Sequence, residues 1–474
     1  MIARLAIAVS ALAIMSGPGW ALSLQEAVST ALKTNPDILG AAENREATEF
    51  ELRQARGLFL PTIDLEASAG TRLLDSPGRR RLGTEDNGLT PVDVGVTLRQ
   101  PLFDGGAARS EVERQASRVD AASFRVRERS EAVALAVAQE YFEILLQHEI
   151  IALAQRNIAV HQQIVSDIGR SIEGGTLTGA DRSQGLERLR AAQARLTEAE
   201  EDLVEARIRF ARLVGAPPGR LKHPGSLGHA VPSSATAAVE RARIASPRIA
   251  AAGADVDSAE AEIRAAQADF LPGVSLEARG RLGHDVDGSE GDLADFEARI
   301  VARWNLYRGG RDVAEVQERI RRAGEQRQNL ALVHREVEET IRSAYNRRAK
   351  RAELASELQR QANINAQLVS SYRAQLRVGE RSLLDVLSAQ DTRFGTEVLA
   401  KTAQYASVYA NYQLLATVGI LADALNTGVV PQTEPYARAE FQVPPTPEVS
   451  DYERLPSRQV ADDPLDLLAP LRRK

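Results

Sequence analysis

The chain of 474 residues contains no cysteine. Disulfides, thiolate metal sites, a cysteine nucleophile and acylation at an N-terminal cysteine are therefore excluded. Positive charge is not in excess, since the formal net charge is −6, and no strongly basic block occurs. Nucleic-acid binding has no electrostatic footprint here. Aromatic residues make up only 4%. Proline is missing from two long stretches, between Pro101 and Pro217 and between Pro272 and Pro431. The six histidines, at 148, 161, 223, 229, 284 and 334, form neither an HExxH motif nor a pair at metal spacing. There is no Walker A loop and no GxSxG elbow. These absences argue against an enzyme, and no cofactor or metal is expected.

What is present begins with an address. Arg4 precedes a short apolar core from Leu5 to Met15, Gly17-Pro18-Gly19 breaks it, and Ala21 closes "GWA". This reads as a secretory signal peptide over residues 1–21. Its apolar run is shorter than the ~20 residues of a spanning helix. No later uninterrupted apolar run is long enough to span as a helix either.

The rest is written twice. "TNPDILGAAENREATEFELRQARGLFLPTIDLEA" from Thr34 matches "ASPRIAAAGADVDSAEAEIRAAQADFLPGVSLEA" from Ala245, with Pro36 and Pro61 each 211 residues before Pro247 and Pro272. "RQPLFDGGAARSEVE" from Arg99 matches "ARWNLYRGGRDVAEVQ" from Ala302, and from the double glycine onward the offset is 204: Gly106 with Gly310, Gly175 with Gly379, Asp181 with Asp385, Gly215 with Gly419. A constant offset, one shift of seven between Ala67 and Leu102, and a second constant offset indicate a duplicated unit. The period is too long for a solenoid of small repeats. Repeat 1 is placed at 22–235 and repeat 2 at 236–430.

Each copy holds two alternating segments. "TIDLEASA" sets Ile63, Leu65, Ala67 and Ala69 against Thr62, Asp64, Glu66 and Ser68. "VDVGVTLR" sets Val92, Val94, Val96 and Leu98 against Asp93, Gly95, Thr97 and Arg99. "VSLEARGRL" from Val274 and "FEARIVARW" from Phe296 repeat the pattern. Period two predicts strands with one apolar face, at about 60–70, 91–101, 272–283 and 295–305. The linkers "DSPGRRRLGTEDNG" and "HDVDGSEGD" read as loops. The remainder of each copy is alanine-rich and helical; the run from Asp104 to about Ile172 would extend on the order of 100 Å at ~1.5 Å per residue.

Four such strands in an exported, helix-dominated chain admit two readings. A soluble sheet could rest one face on helices. Alternatively, strands of about ten residues with aromatics near their ends (Phe59, Phe103, Phe270, Trp304, Tyr307) suit a transmembrane barrel. Four strands cannot close a barrel, and an open edge cannot face lipid. Several chains must then share one; two would make a filled eight-strand barrel, three a twelve-strand barrel with a lumen.

The duplication, the "NP" and "SP" at Asn35-Pro36 and Ser246-Pro247, "FLP" before the first strand of each copy, the aromatic-x-GG turn and "RVGERSLLDVLSAQ" together resemble the TolC-like family of outer-membrane channel proteins up to about Gly428. The resemblance implies an α+β membrane protein whose duplicated units of long antiparallel helices and β-hairpins form a trimer. That trimer would make a twelve-strand barrel in outer-membrane lipid and a periplasmic helical tunnel. Implied partners are a periplasmic adaptor protein and an inner-membrane ABC exporter or proton-driven pump. The channel would be the exit duct of type I protein secretion or, alternatively, of multidrug efflux; the non-channel reading is a structural periplasmic coiled-coil protein.

Two matching turns, "EGGTLTGAD" and "RVGERSLLD", carry the candidate site. Thr178 to Asp181 and Ser382 to Asp385 fit a capping box. By resemblance Asp385 falls at the aspartate ring of a periplasmic gate, and Arg381 and Asp181 at a latch. Threefold symmetry would turn one aspartate into a ring that selects cations. Gly175, Thr176, Leu177, Val378, Gly379 and Glu380 match the turns that an adaptor grips; glycine as a helix C-cap fits them as well. Ser388, Leu376 and Ala180 depart from the pattern, which implies a weaker charge ring and a looser closed state. The tail 431–474, with eight prolines, reads as extended or disordered.

Overall fold

The computed structural model describes residues 21–428, 430–446 and 451–457. Residues 1–20 of the expected signal peptide lie outside them. In chain order the helices are α1 (Leu24–Thr34), α2 (Pro36–Gly57), α3 (Pro77–Leu82), α4 (Ala107–Glu173), α5 (Gly179–Val214), α6 (Ala235–Ala245), α7 (Pro247–Ala268), α8 (Arg311–Arg377), α9 (Leu383–Val418), α10 (Leu421–Ala424) and α11 (Ala437–Glu440). The strands are β1 (Thr62–Ala69), β2 (Val92–Phe103), β3 (Gly273–His284) and β4 (Asp292–Arg303). The duplication survives in the element bounds. The ends of α1 and α2 recur 211 residues later in α6 and α7, and the ends of α4 and α5 recur 204 residues later in α8 and α9.

The chain divides into two compact units, and each draws on both repeats. Over the described residues, the first holds 21–38, 130–239 and 340–428; the second holds 39–129, 240–339, 430–446 and 451–457. Neither repeat is thus a compact body by itself; in the sheet, β2 of the first copy pairs with β3 of the second.

In the first unit Tyr141 is fully buried and its hydroxyl donates to the carbonyls of Leu22 (2.8 Å) and Lys222 (2.6 Å). The Phe142 ring meets Tyr412 edge-on at 5.0 Å. The Glu131 carboxylate accepts from the amides of Leu421 (2.8 Å) and Ala422 (3.1 Å), which caps α10.

The second unit carries one antiparallel sheet in the order β1-β2-β3-β4. Its register keeps the faces apart. Ile63, Leu98, Ala278 and Ala298 run across one face, and Leu65, Val96, Gly280 and Phe296 across the next row of it. On the other face Arg99 pairs with Glu277, Glu277 with Arg299, and Arg281 with Asp295. Glu277 gathers Arg303 (2.9 Å) and Arg299 (3.5 Å), and Arg281 reaches Asp287 (3.1 Å). The apolar face stays open, with Leu65 72% and Phe296 78% exposed. Among the described residues no helix is long and apolar enough to cross a membrane. The double glycine after β2 allows a close approach: a Cβ on Gly105, whose φ is +71°, would lie 2.7 Å from the Ala268 carbonyl.

Three expectations change. The strand placed at 295–305 begins at Asp292, since pairing with His284 carries it through an acidic stretch that reads as loop. The linker after β1 contains α3, with Pro77 in its first turn after the Ser76 cap. Arg79 from that helix donates to the carbonyls of Asn87 (2.9 Å) and Thr84, so the linker is folded around a buried cation. The tail, over its described residues, is anchored rather than disordered. Buried Asp120 accepts from the amides of Tyr436 (2.9 Å), Ala437 (2.9 Å) and Arg438 (3.2 Å) and from Arg438 Nε (3.0 Å). Arg438 Nη1 donates to one oxygen of Asp257 at 2.6 Å, and the Thr446 hydroxyl donates to the other. Further on, Tyr452 packs against the cluster of Ile263, Val316, Ile320 and Ala323. The physical reason is charge: the prolines break regular structure, but the ionic partners fix the segment where it lies.

Candidate gate at the two repeated turns

Both turns belong to the first unit, and their backbones are copies. At the end of α4, Gly175 takes φ +76°; its amide donates to Ile172 (2.9 Å) and that of Thr176 to Ser171 (2.9 Å). At the end of α8, Gly379 takes φ +80°; its amide donates to Leu376 (3.1 Å) and that of Glu380 to Gln375 (3.0 Å). This bond pair closes a helix through a left-handed residue, which glycine supplies without a Cβ clash. The expected C-cap role of both glycines is present. Four residues after each of these glycines a new helix starts. The Asp181 carboxylate accepts from the amide and hydroxyl of Thr178 (2.8 Å each), and that of Asp385 from the amide (3.3 Å) and hydroxyl (2.9 Å) of Ser382. The reciprocal bonds from the Asp181 and Asp385 amides complete two capping boxes. The Thr178 amide, then its hydroxyl, holds the Asp181 carboxyl below its ordinary value.

Beneath the turns, Ile164, Ile168, Leu383 and Leu387 form a buried cluster, joined by partly buried Val160, Ile172, Leu177 and Leu376. The cluster ties the first turn to the start of α9. Gly185 lets α5 approach α4 closely, because a Cβ there would sit 2.7 Å from Ile168 Cδ1. Of the expected adaptor-contact residues, Gly175, Thr176, Val378, Gly379 and Glu380 are exposed, whereas Leu177 packs into the cluster.

Within the chain Arg381 and Asp181 do not meet. Arg381 Nε donates to Gln375 (3.1 Å), its guanidinium lies 4.3 Å from the Tyr372 ring centroid, and its Nη1 is 4.0 Å from Asp385. Asp181 is engaged by Thr178. The cation–π partner Tyr372 was not legible in the sequence, since it lies on α8 nine positions before Arg381, across a turn. Ser388 and Ala180 are exposed, so the two departures leave small side chains on the surface. Among the described residues no group of three or more His, Asp or Glu side chains is placed to hold a metal.

The two-hairpin helical body with its four-stranded amphipathic sheet defines the class of outer-membrane channel proteins. The family described as outer membrane efflux protein matches residues 27–216 and 238–420, and the chain belongs to it. Among relatives, the outer membrane efflux protein BepC of Brucella suis is 27% identical over 340 residues, 71% of this chain and 74% of that one. The alkaline protease secretion protein AprF of Pseudomonas aeruginosa is 25% identical over 425 residues, 87% of this chain and 88% of the relative. A crystal structure of the Campylobacter jejuni CmeC outer membrane channel shares the fold with a TM-score of 0.73 at 16% identity, over 84% of this chain and 86% of that one. The open-state MtrE channel of Neisseria gonorrhoeae gives 0.68 at 20%, over 84% and 88%. The protein is an outer-membrane efflux channel component of a tripartite exporter in a Gram-negative bacterium.

Proposed function

We propose that the chain works as a homotrimer whose twelve strands close one barrel in outer-membrane lipid, and that it is the exit duct for type I protein secretion. The observation that carries the assembly is the sheet: one face apolar and exposed, the other ionic, and both edge strands without a partner among the described residues. Unpaired strand edges in hydrocarbon cost several kcal/mol per polar group, so each edge needs another copy. The paired turns then lie at the periplasmic mouth. Asp385 supplies three carboxylates around the axis, with Arg381 and Asp181 beside them as the latch. The exposed turn residues Gly175, Thr176, Val378, Gly379 and Glu380 meet an adaptor hairpin, and Leu177 stiffens the turn from below. An inner-membrane ABC exporter supplies the energy.

The secretion reading is supported by "RSLLDVLSAQ" and by the name of AprF, a protease secretion protein. Multidrug efflux is the second reading; the name of BepC, an outer membrane efflux protein, favours its efflux part. Deleting the gene tests both. Loss of one or more proteins from the culture medium with unchanged drug susceptibility supports secretion; the reverse pattern supports efflux. A mature chain that runs as a water-soluble monomer without detergent would overturn the channel assembly itself.

A further inference from the structure

If copies share a barrel, β4 of one must pair with β1 of the next, and the sequence of those two edges restricts how. Rows across the sheet are fixed by the register: Thr62, Arg99, Glu277 and Arg299 lie level. Arg72 and Leu89, which continue the β1–β2 register, exchange both ladder bonds at 2.9 Å, and the Gly70 amide donates to Pro91 at 2.9 Å. Even-numbered residues of β1 therefore bond towards β2. The odd ones, Ile63, Leu65, Ala67 and Ala69, turn their amides and carbonyls to the open edge. By the same alternation Ala294, Phe296, Ala298, Ile300 and Ala302 of β4 turn theirs to the other open edge. Pairing these two sets also keeps apolar with apolar and polar with polar. A one-residue slip would break both conditions.

Charge then selects among the allowed registers. The polar row of β1 holds two acids, Asp64 and Glu66, and no base; that of β4 holds Asp295 and Glu297 first, then Arg299 and Arg303. A level join sets Asp64 against Glu297 and Glu66 against Asp295. An offset of two still sets Glu66 against Glu297. An offset of four sets Glu66 opposite Arg299, with Asp64 between Arg299 and Arg303. An offset of six sets Asp64 opposite Arg303, with Glu66 between the two arginines. Both arginine side chains are 56% exposed, so their donors remain available beside Glu277. These polar pairs occupy the non-hydrogen-bonded positions, where side chains come closest. Barrel geometry agrees. A level join would leave the strands untilted. Four residues per chain gives three chains a shear equal to the strand number, the ratio that tilts an eight-stranded barrel by about 36°, inside the 35–45° of membrane barrels.

We infer that the seam between copies sets Asp64 and Glu66 of β1 against Arg299 and Arg303 of the neighbouring β4, at an offset of four or six residues. The inference rests on the shared-barrel reading above. The chain has no cysteine of its own, so introduced pairs report cleanly. Ala67→Cys is combined in turn with Ala294→Cys, Phe296→Cys, Ala298→Cys or Ile300→Cys and oxidised in outer membranes. Covalent multimers are expected from the Ala298 pair (offset four) or the Ile300 pair (offset six). Cross-linking through the Ala294 or Phe296 pair overturns the seam and leaves the shared barrel standing, as does a trimer that cross-links at none. A monomer that cross-links at none overturns the barrel. In the reporting pair, Arg299→Glu with Arg303→Glu lowers the cross-link yield about tenfold through two like-charge contacts, and adding Asp64→Arg with Glu66→Arg restores it. Failure of that rescue removes the charge argument.

Discussion

Replacing Asp120 with alanine tests the anchoring of the C-terminal segment most directly. The carboxylate is buried, with 4% of its side chain exposed, and receives four hydrogen bonds: three amides at 2.9, 2.9 and 3.2 Å and Arg438 Nε at 3.0 Å. Asp120→Ala strips all four at once. Arg438 keeps Asp257 at 2.6 Å, but three amides at the start of α11 lose their acceptor. Such charge-assisted bonds are not additive, so the better guide is the ~3–5 kcal/mol cost of removing one partner from a buried ion pair. Every 1.4 kcal/mol is tenfold in an equilibrium, so the open population of residues 436–446 rises by about two to three and a half orders of magnitude. When opening and closing outpace cleavage, proteolysis follows that population. Limited proteolysis in native conditions should therefore cut Asp120→Ala near residue 440 about a hundredfold faster than the parent, while the sheet and the repeated turns keep their protection. Arg438→Ala should have a smaller effect, because Asp120 retains three amide donors. Equal cleavage of parent and Asp120→Ala would refute the account, as would Arg438→Ala exceeding it.

At the gate, charge and cap can be separated. Asp385→Asn keeps an acceptor for Ser382 but removes the charge, whereas Ser382→Ala removes the cap and keeps the charge. Each carboxylate attracts a divalent cation at about 5 Å by roughly 1 kcal/mol after screening at physiological salt. In the proposed trimer three of them predict about a hundredfold weaker divalent block of single-channel current for Asp385→Asn and less than about threefold for Ser382→Ala; similar effects for the two would reduce the proposed ring residue Asp385 to a cap. The start of α5 gives a pH signature. A carboxyl held below its ordinary value adds stability above that value and loses it as the pH falls through the lowered one. Protection of the Thr178, Asp181 and Arg182 amides from hydrogen exchange should hold from neutral pH down to about the ordinary 3.8 and fall only in stronger acid. Loosening near pH 6 would contradict the role of Asp181.

The helices were legible because nothing interrupts them: α4 and α8 are free of proline, rich in alanine and offset by a constant number, and their copied ends fall where the copied glycines are. The strands were legible from period two, except for the first residues of β4, where Asp292 and Asp295 carry turn composition and only the β3 partner decides. Capping boxes are short-range, so Thr178, Asp181, Ser382 and Asp385 could be placed from spacing alone. What escaped is long-range. Arg438 reaches Asp120 and Asp257 across 318 and 181 residues, and no local pattern in a proline-rich tail announces a partner that far away. Arg381 shows the same limit on a smaller scale: the family resemblance implied a latch, but within the chain its position is set by Tyr372 and Gln375 across the turn.

The amphipathic sheet also bears on the life of the chain before any pore exists. Leu65, Ile300 and Phe296 stand bare on one face of each copy, and a newly exported chain must carry them through the aqueous periplasm before reaching lipid. Oily surface next to open strand edges is the recipe for clumping, so the hazardous interval is transit. An escort that shields the sheet, or early pairing of copies, would shorten it. Added charge on that face would make the traveller safer and its destination unreachable.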